Sequence, residues 1–210
     1  MVLFFSALTL GFLHGLGGDH LMAIAALSVD AAEGTPAAKR GRALAMATRF
    51  ALGHALLLGI GAGLVVLIGW TIPPHVERGG EMLGGGLLII MGLLTLQHLR
   101  QHQNLSTQHG VSRTKHSHLP TMIGAAFAVS SLRALAMLTP FGGGLETEPL
   151  PVLLALIGVF ALGILISMSL FGVALAGLLS TRALTRVGHV AGALVGLSSI
   201  VLGVAWVATA

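Results

Sequence analysis

Residues 1–29 read MVLFFSALTLGFLHGLGGDHLMAIAALSV, an apolar stretch interrupted by one cluster of glycine, histidine and aspartate residues. A helix needs about 20 apolar residues to cross the ~30 Å hydrocarbon core of a bilayer. An ionisable side chain inside such a stretch is costly, so it marks a functional site by default. We interpret this stretch as a membrane-spanning helix and not as a cleaved signal peptide, because ionisable residues interrupt its apolar run and no basic segment precedes it.

The composition of the whole chain also indicates an integral membrane protein. Of its 210 residues, 55% are hydrophobic and 9% are charged, and the mean hydropathy is +0.93. A soluble chain carries roughly 25% charged residues, so this chain lacks the polar surface of a water-exposed globule. The absence of cysteine excludes disulfides and thiolate metal sites. The net charge of +4 is small, and we expect no nucleic-acid partner.

Six apolar segments predict six membrane-spanning helices. They lie at about residues 1–29, 43–70, 79–99, 121–139, 150–180 and 187–208. We therefore expect an all-α integral membrane protein in which residues 1–210 form a single transmembrane domain surrounded by the lipid bilayer.

Basic residues predict the orientation of these spans. They concentrate in the first, third and fifth loops, as Lys39, Arg40, Arg42, Arg100, Arg113, Lys115, Arg182 and Arg186. Because basic loops stay in the cytoplasm, both termini are expected outside it. We expect the chain in the plasma membrane, which is the inner membrane of a cell with two membranes.

The two halves of the chain resemble each other. The tetrapeptide FALG at residues 50–53 recurs at residues 160–163. In the same way, Gly85, Ile89 and Gly92 of the third span correspond to Gly196, Ile200 and Gly203 of the sixth. With three spans in each half, the second half enters the membrane from the opposite side. This pattern predicts a 3+3 inverted repeat with halves at about 1–99 and 121–208, an arrangement common in transporters.

Four ionisable residues lie near the middle of the first two spans: His14, Asp19, His20 and His54. A single such histidine is commonly explained by a hydrogen bond to a neighbouring helix. Three histidines and an aspartate at similar depth are harder to explain in this way. Two imidazoles with a carboxylate are a ligand set for Ni²⁺, Co²⁺ or Zn²⁺. On an unbroken helix, His14 and His20 would lie ~120° and ~9 Å apart, too far to share one ion. The glycines between them pack helices closely or break the helix, and we predict a break at Gly15–Gly18.

Two motifs resemble those of a known family. The sequence HGLGGDH at residues 14–20 resembles the H-x4-D-H signature of the nickel/cobalt transporter family, and FALGHA at residues 50–55 is similar to its second motif, F-x-x-G-H-[ST]. The six-span length is similar to the shorter, urease-accessory type of nickel permease. The resemblance implies a Ni²⁺ or Co²⁺ site at His14, Asp19, His20 and His54. The family's later L-G-x-[DE]-T-[AS]-E motif has no counterpart, since the fourth span reads SSLR at residues 130–133.

The fourth span contributes three further candidates. By the inverted repeat, Ser130 and Ser131 face the region of His14 and are candidate groups beside the metal site. Arg133 either pairs with Asp19 when no cation is bound or extends its guanidinium towards a membrane interface, and the sequence leaves both interpretations open.

The third loop, at about residues 98–120, is rich in histidine. It holds five of the ten histidines of the chain, His98, His102, His109, His116 and His118. Such tracts bind metals loosely, so the segment is either a cytoplasmic metal-collecting loop or a polar connector whose histidines are incidental.

These observations predict a transporter and not an enzyme. The chain has no Walker loop, no nucleophile elbow and no catalytic carboxylate pair, and we expect no prosthetic group. The predicted function is transport of a divalent transition-metal cation, with Ni²⁺ or Co²⁺ ahead of Zn²⁺ or Fe²⁺, in the direction of uptake. The alternatives are efflux of the same metals, or an accessory role in which the chain hands metal to a cytoplasmic delivery or metalloenzyme-maturation protein.

Overall fold

The structure, a computed structural model, describes residues 1–29, 35–68, 73–104, 118–131, 149–179 and 182–209. These ranges contain seven helices: α1 (Val2–Gly15), α2 (Gly18–Val29), α3 (Pro36–Ile68), α4 (Pro74–Asn104), α5 (Leu119–Ser130), α6 (Leu150–Leu179) and α7 (Arg182–Thr209). No strand occurs in the described ranges. The predicted all-α fold is therefore confirmed.

Several helices are long and apolar enough to cross a membrane. Four meet this condition alone, namely α3, α4, α6 and α7. Helices α1 and α2 meet it as one pair, bent by 53°, which raises the number of candidate spans to five. The remaining predicted span, residues 121–139, is described only as far as residue 131 and contains the shorter apolar helix α5. The helices fit a membrane protein, while the arrangement of six spans stays a prediction.

The helices extend beyond the apolar segments from which they were predicted. Helix α3 begins at Pro36 and not near residue 43, and α7 begins at Arg182 and not near residue 187. Helix α4 continues to Asn104, so His98 and His102 belong to a helix and not to a loop. Hydropathy detects only the length of a helix that lies in lipid. Lysine, arginine and glutamine are good helix formers and continue the helix past that length.

Helix packing brings both halves of the chain together. Helix α1 packs along α6, α3 packs along both α5 and α6, and α4 packs along α7. The short helix α2 contacts α3, α4, α6 and α7, so it lies between the two halves. The site described below is built around α2.

Glycines allow the backbones of these helices to touch. Four of them each face a backbone carbonyl of the packed helix, Gly11 that of Phe160, Gly163 that of Leu8, Gly53 that of Thr121 and Gly124 that of Phe50. Between α4 and α7, glycine backbones meet at two levels, Gly85 with Gly203 and Gly92 with Gly196. Close approach at small residues is the usual basis of helix association in a membrane, where lipid removes the hydrophobic driving force between helices.

A methyl group at such a contact should separate the helices. We expect Gly53→Ala to lower the free energy of unfolding by about 1–3 kcal/mol, because its Cβ would collide with the Thr121 carbonyl, a backbone group that cannot rotate away. Gly63→Ala is the matched control on the same helix, since no atom lies within 4 Å of the added methyl. Thermal unfolding in detergent should give a lower Tm for Gly53→Ala alone. Equal Tm values for both variants would contradict the close contact between α3 and α5.

Candidate metal centre

The predicted helix break is present at Gly15–Gly18. Helix α1 ends at Gly15 and α2 begins at Gly18, with a bend of 53° between them. Three backbone hydrogen bonds close the turn, from the Leu16 N–H to the Leu13 carbonyl (3.2 Å), from the Gly17 N–H to the His14 carbonyl (2.9 Å) and from the Leu21 N–H to the Gly17 carbonyl (3.1 Å). The chain therefore changes direction inside the bundle while most of its backbone groups stay paired, as an apolar environment requires.

Two glycines of the break make room for polar side chains. A Cβ on Gly17 would lie 2.7 Å from Oδ1 of Asp19 and 2.8 Å from Nδ1 of His20. A Cβ on Gly15 would collide with the hydroxyl of Ser167 on α6. Gly18 differs, because a Cβ at this position would lie 3.9 Å from its nearest neighbour, the side chain of Leu202. The break therefore needs Gly15 and Gly17 for space, whereas Gly18 has room for a methyl group.

The break brings three predicted histidines together. The ring centroids of His14 and His20 are 4.9 Å apart, those of His20 and His54 are 4.5 Å apart, and those of His14 and His54 are 5.6 Å apart. One nitrogen from each ring can be chosen so that all three lie within 4.8 Å of one another. An unbroken helix would have kept His14 and His20 ~9 Å apart along its axis. We call these three residues the histidine cluster.

The histidine cluster lies inside the protein. His54 is fully buried and His20 is 1% exposed, while His14 is partly buried. The Nδ1 atoms of His20 and His54 make no hydrogen bond of good geometry within the described structure. Buried polar atoms are normally paired because an unpaired one costs about 1–3 kcal/mol. Nδ1 of His20 nevertheless lies next to the carboxylate of Asp19, so it is not itself a free donor for a ligand.

Asp19 supports His20 from one side. Its Oδ1 lies 3.1 Å from Nδ1 of His20, and Asp19 is itself 7% exposed. The three histidines form the cluster without Asp19. A carboxylate that contacts the second nitrogen of a histidine is a common means of orienting a metal-binding ring. Asp19 also brings a negative charge to the site.

The distance between two ring nitrogens fits a shared metal ion. Nε2 of His14 and Nε2 of His54 are 3.4 Å apart. This exceeds the 2.7–3.2 Å typical of a hydrogen bond from nitrogen. Two donors that are each ~2.1 Å from one tetrahedral ion lie ~3.4 Å apart. The cluster could therefore bind a metal ion of the borderline class, for which imidazole is a preferred ligand.

Three phenylalanine rings enclose the histidine cluster. Phe160 lies 5.9 Å from the ring of His14, Phe50 lies 6.2 Å from that of His54, and Phe127 lies 6.4 Å from that of His20, measured between centroids. All three phenylalanines are buried. Sequence reasoning did not assign Phe127 or Phe160 to the site. The only signal for Phe160 was its place in the repeated FALG tetrapeptide.

The two candidate serines have different surroundings. Ser131 is 5% exposed, and its Oγ lies 3.4 Å from Nε2 of His20. Ser130 is 4% exposed, donates its hydroxyl to the Phe127 carbonyl at 2.7 Å and packs against Gly84 of α4. Only Ser131 therefore contacts the histidine cluster.

Several other predicted residues cannot be assigned to a site. Arg133, His109 and His116 lie outside the described residues. His98 and His102 lie on α4, where their side chains are not described, and His118 is exposed next to the start of α5. The metal-collecting loop therefore stays a prediction.

One buried residue at the break was not identified from the sequence. Ser167 of α6 is fully buried, packs against Gly15 and donates its hydroxyl to the Ile164 carbonyl at 3.0 Å. Ser167 lies in the segment GILISM at residues 163–168, which is too weak a motif to identify it as part of the site.

Comparison with known proteins does not assign the chain to a family. No protein-family model, no curated protein and no solved structure matches this chain. The fold and the site therefore define the protein as far as its class, an all-helical protein with helices fit to span a membrane and a buried histidine cluster that could bind metal.

Proposed function

We propose that this protein is a permease for a divalent transition-metal cation, with Ni²⁺ or Co²⁺ as the first candidates. The observation that carries the proposal is the histidine cluster, with three nitrogen donors from α1, α2 and α3 within 4.8 Å of one another inside an apolar bundle. Ionisable groups at the centre of a membrane bundle mark ion pathways, and broken helices are where transporters bind ions. The similarity of residues 14–20 and 50–55 to the nickel/cobalt transporter motifs supports the same substrate.

The residues of the site have different roles in binding the cation. His14, His20 and His54 supply nitrogen donors, which suit Ni²⁺, Co²⁺ and Zn²⁺. Asp19 offsets part of the charge of the cation, and its contact with Nδ1 of His20 directs Nε2 of that ring to the ion. The three phenylalanines keep water away and strengthen the attraction between cation and carboxylate.

The proposal includes six spans arranged as a 3+3 inverted repeat. Its support is that equivalent contacts occur twice. Gly11 of α1 meets Phe160 of α6, and Gly124 of α5 meets Phe50 of α3. Gly124 lies 113 residues after Gly11 and Phe160 lies 110 residues after Phe50, so a shift of about 110 residues relates the two pairs. Rocking of the two halves around α2 would open the site to each side of the membrane in turn.

The glycine contacts between α4 and α7 follow the same rule. Gly85 meets Gly203, and Gly92 meets Gly196. A shift of 111 residues converts Gly85 to Gly196 and Gly92 to Gly203, so each pair becomes the other. Equivalent pairs of this kind are expected where two halves are related by a two-fold axis.

The direction of transport follows from electrostatics. We propose that the termini lie outside the cytoplasm and that the protein works in the inner or plasma membrane. A divalent cation entering at a potential of −100 mV gains about 4.6 kcal/mol, so the membrane potential favours uptake, whereas export would need coupling. Metal that enters would be passed to cytoplasmic delivery or maturation proteins.

Flux through the purified protein tests the function. Proteoliposomes that contain the full chain should accumulate Ni²⁺ or Co²⁺ from the medium, and an inside-negative potassium diffusion potential should increase the initial rate. Protein-free liposomes of the same lipid are the control. Metal binding without flux would contradict transport and favour the accessory role, and absence of both would contradict the metal site itself.

A further inference from the structure

The end of α5 has the same geometry as the end of α1. Ser131 follows α5 with φ −93° and ψ 11°, and its N–H donates to the Ala128 carbonyl at 3.2 Å. Leu16 follows α1 with φ −88° and ψ 8°, and its N–H donates to the Leu13 carbonyl at 3.2 Å. Both ends lie at the histidine cluster, because α1 carries His14 in its last turn and Ser131 touches His20. The C-terminal end of a helix carries partial negative charge and favours a cation.

The hydroxyl of Ser131 presents an oxygen to the histidine cluster. It donates its hydrogen to the Phe127 carbonyl at 3.1 Å, which leaves its lone pairs free to accept a hydrogen bond or bind a cation. Its distance to Nε2 of His20 is 3.4 Å. This equals the separation of Nε2 of His14 from Nε2 of His54 and matches the ~3.4 Å between two donors on one tetrahedral ion.

Glycines of α4 hold the end of α5 in this position. A Cβ on Gly84 would lie 2.5 Å from Cβ of Ser130 and 3.0 Å from the ring of Trp206. A Cβ on Gly80 would collide with the Val129 carbonyl. The turn after α5 is thus packed directly against the α4 backbone, with Ser130 towards α4 and Ser131 towards His20.

We propose that Ser131 Oγ is the fourth donor of the metal site and that it comes from the second half of the chain. This inference rests on the proposed metal site. The site is then three nitrogens and one oxygen, contributed by α1, α2, α3 and the end of α5. Because one ion binds residues of both halves, cation binding ties the movement of one half to that of the other. The neutral hydroxyl also avoids the thiolate that favours softer ions.

Replacing Ser131 by cysteine tests the inference with a spectroscopic readout. The chain contains no cysteine, so Ser131→Cys introduces its only thiol. With Co²⁺ added to the purified full-length protein, we expect a thiolate-to-cobalt charge-transfer absorption in the near ultraviolet. We also expect the preference for Zn²⁺ over Ni²⁺ to rise about 10-fold or more. Ser130→Cys is the matched control and should show no such band, because Ser130 faces α4.

The outcomes separate this inference from the proposed function. If the natural protein binds Co²⁺ but Ser131→Cys shows neither the band nor a changed metal preference, the inference is wrong and the histidine site stands. If the natural protein binds no metal, both are wrong.

A second pair of variants tests the inference if Ser131→Cys does not fold. Ser131→Ala should weaken Co²⁺ binding about 10- to 100-fold and change the visible spectrum of the bound ion, and Ser131→Thr should restore both. An alanine variant with natural affinity and an unchanged spectrum overturns the inference.

Discussion

Cells that express His20→Ala or His54→Ala should lose accumulation of Ni²⁺ and Co²⁺. Each substitution removes one of three nitrogen donors from a buried site. Loss of a group that merely supports a metal ligand costs about 10- to 100-fold in affinity, so loss of a ligand itself should cost at least 100-fold. Uptake of radioactive Ni²⁺ at micromolar concentration measures the effect, with the amount of protein in the membrane checked in parallel.

His75→Ala is the matched control for these variants. His75 is an exposed histidine near the start of α4, outside the histidine cluster, and its removal should leave uptake unchanged. Because an alanine in the buried core leaves a cavity, His20→Asn and His54→Asn provide variants closer in volume, and they should lose uptake as well. Natural uptake by both His20 and His54 variants would refute the proposed metal site.

Gly17→Ala should impair metal binding without a change in any ligand. The added methyl would lie 2.7 Å from Oδ1 of Asp19 and 2.8 Å from Nδ1 of His20, closer than carbon and these atoms approach in proteins. The ring of His20 must therefore move away from its position in the cluster. A displacement of this kind should weaken Co²⁺ binding by about 10- to 100-fold, the range seen when the support of a metal ligand is lost.

Gly18→Ala is the control for this effect. It adds the same methyl group one residue further along, where the nearest atom, on Leu202, is 3.9 Å away. Titration of both purified variants with Co²⁺ compares them directly, and Gly18→Ala should bind like the natural protein. If the two variants bind Co²⁺ equally well, the role assigned to Gly17 is wrong.

The break in the first span could be predicted from local sequence. Three glycines lie between His14 and His20, and a straight helix would hold the two rings too far apart for one ion. The structure has the break at the predicted residues. The prediction succeeded because the hydrogen bonds that close the turn join residues at most four apart, so the information is local.

The helix ends were predicted less well, for a different physical reason. Helix α3 begins at Pro36 and α4 ends at Asn104, both beyond the apolar segments. Apolar length measures the part of a helix that matches the hydrocarbon core, whereas the helix itself continues as long as backbone hydrogen bonds and side-chain propensity permit. His98 and His102 were therefore expected in a loop and lie on α4.

Local sequence does not show which of the two serines contacts the histidine cluster. Ser130 and Ser131 are adjacent, have similar burial and were predicted together. Their environments differ because α4 presents Gly84 to one side of the turn and α2 presents His20 to the other. His20 is 111 residues from Ser131, so only helix packing could select between them.

The sequence by itself determined the class of this protein and the residues of its histidine cluster. Apolar length, scarcity of charge and ionisable residues beside glycine are local properties that direct interaction with lipid enforces. Only the tertiary structure decided that three imidazoles from α1, α2 and α3 meet and that Asp19 contacts Nδ1 of His20. It also decided that Ser131, from the second half of the chain, approaches Nε2 of His20. The contacts of His54 with His14 and of Ser131 with His20 join residues far apart in the chain, and they form where glycines let the helix backbones touch.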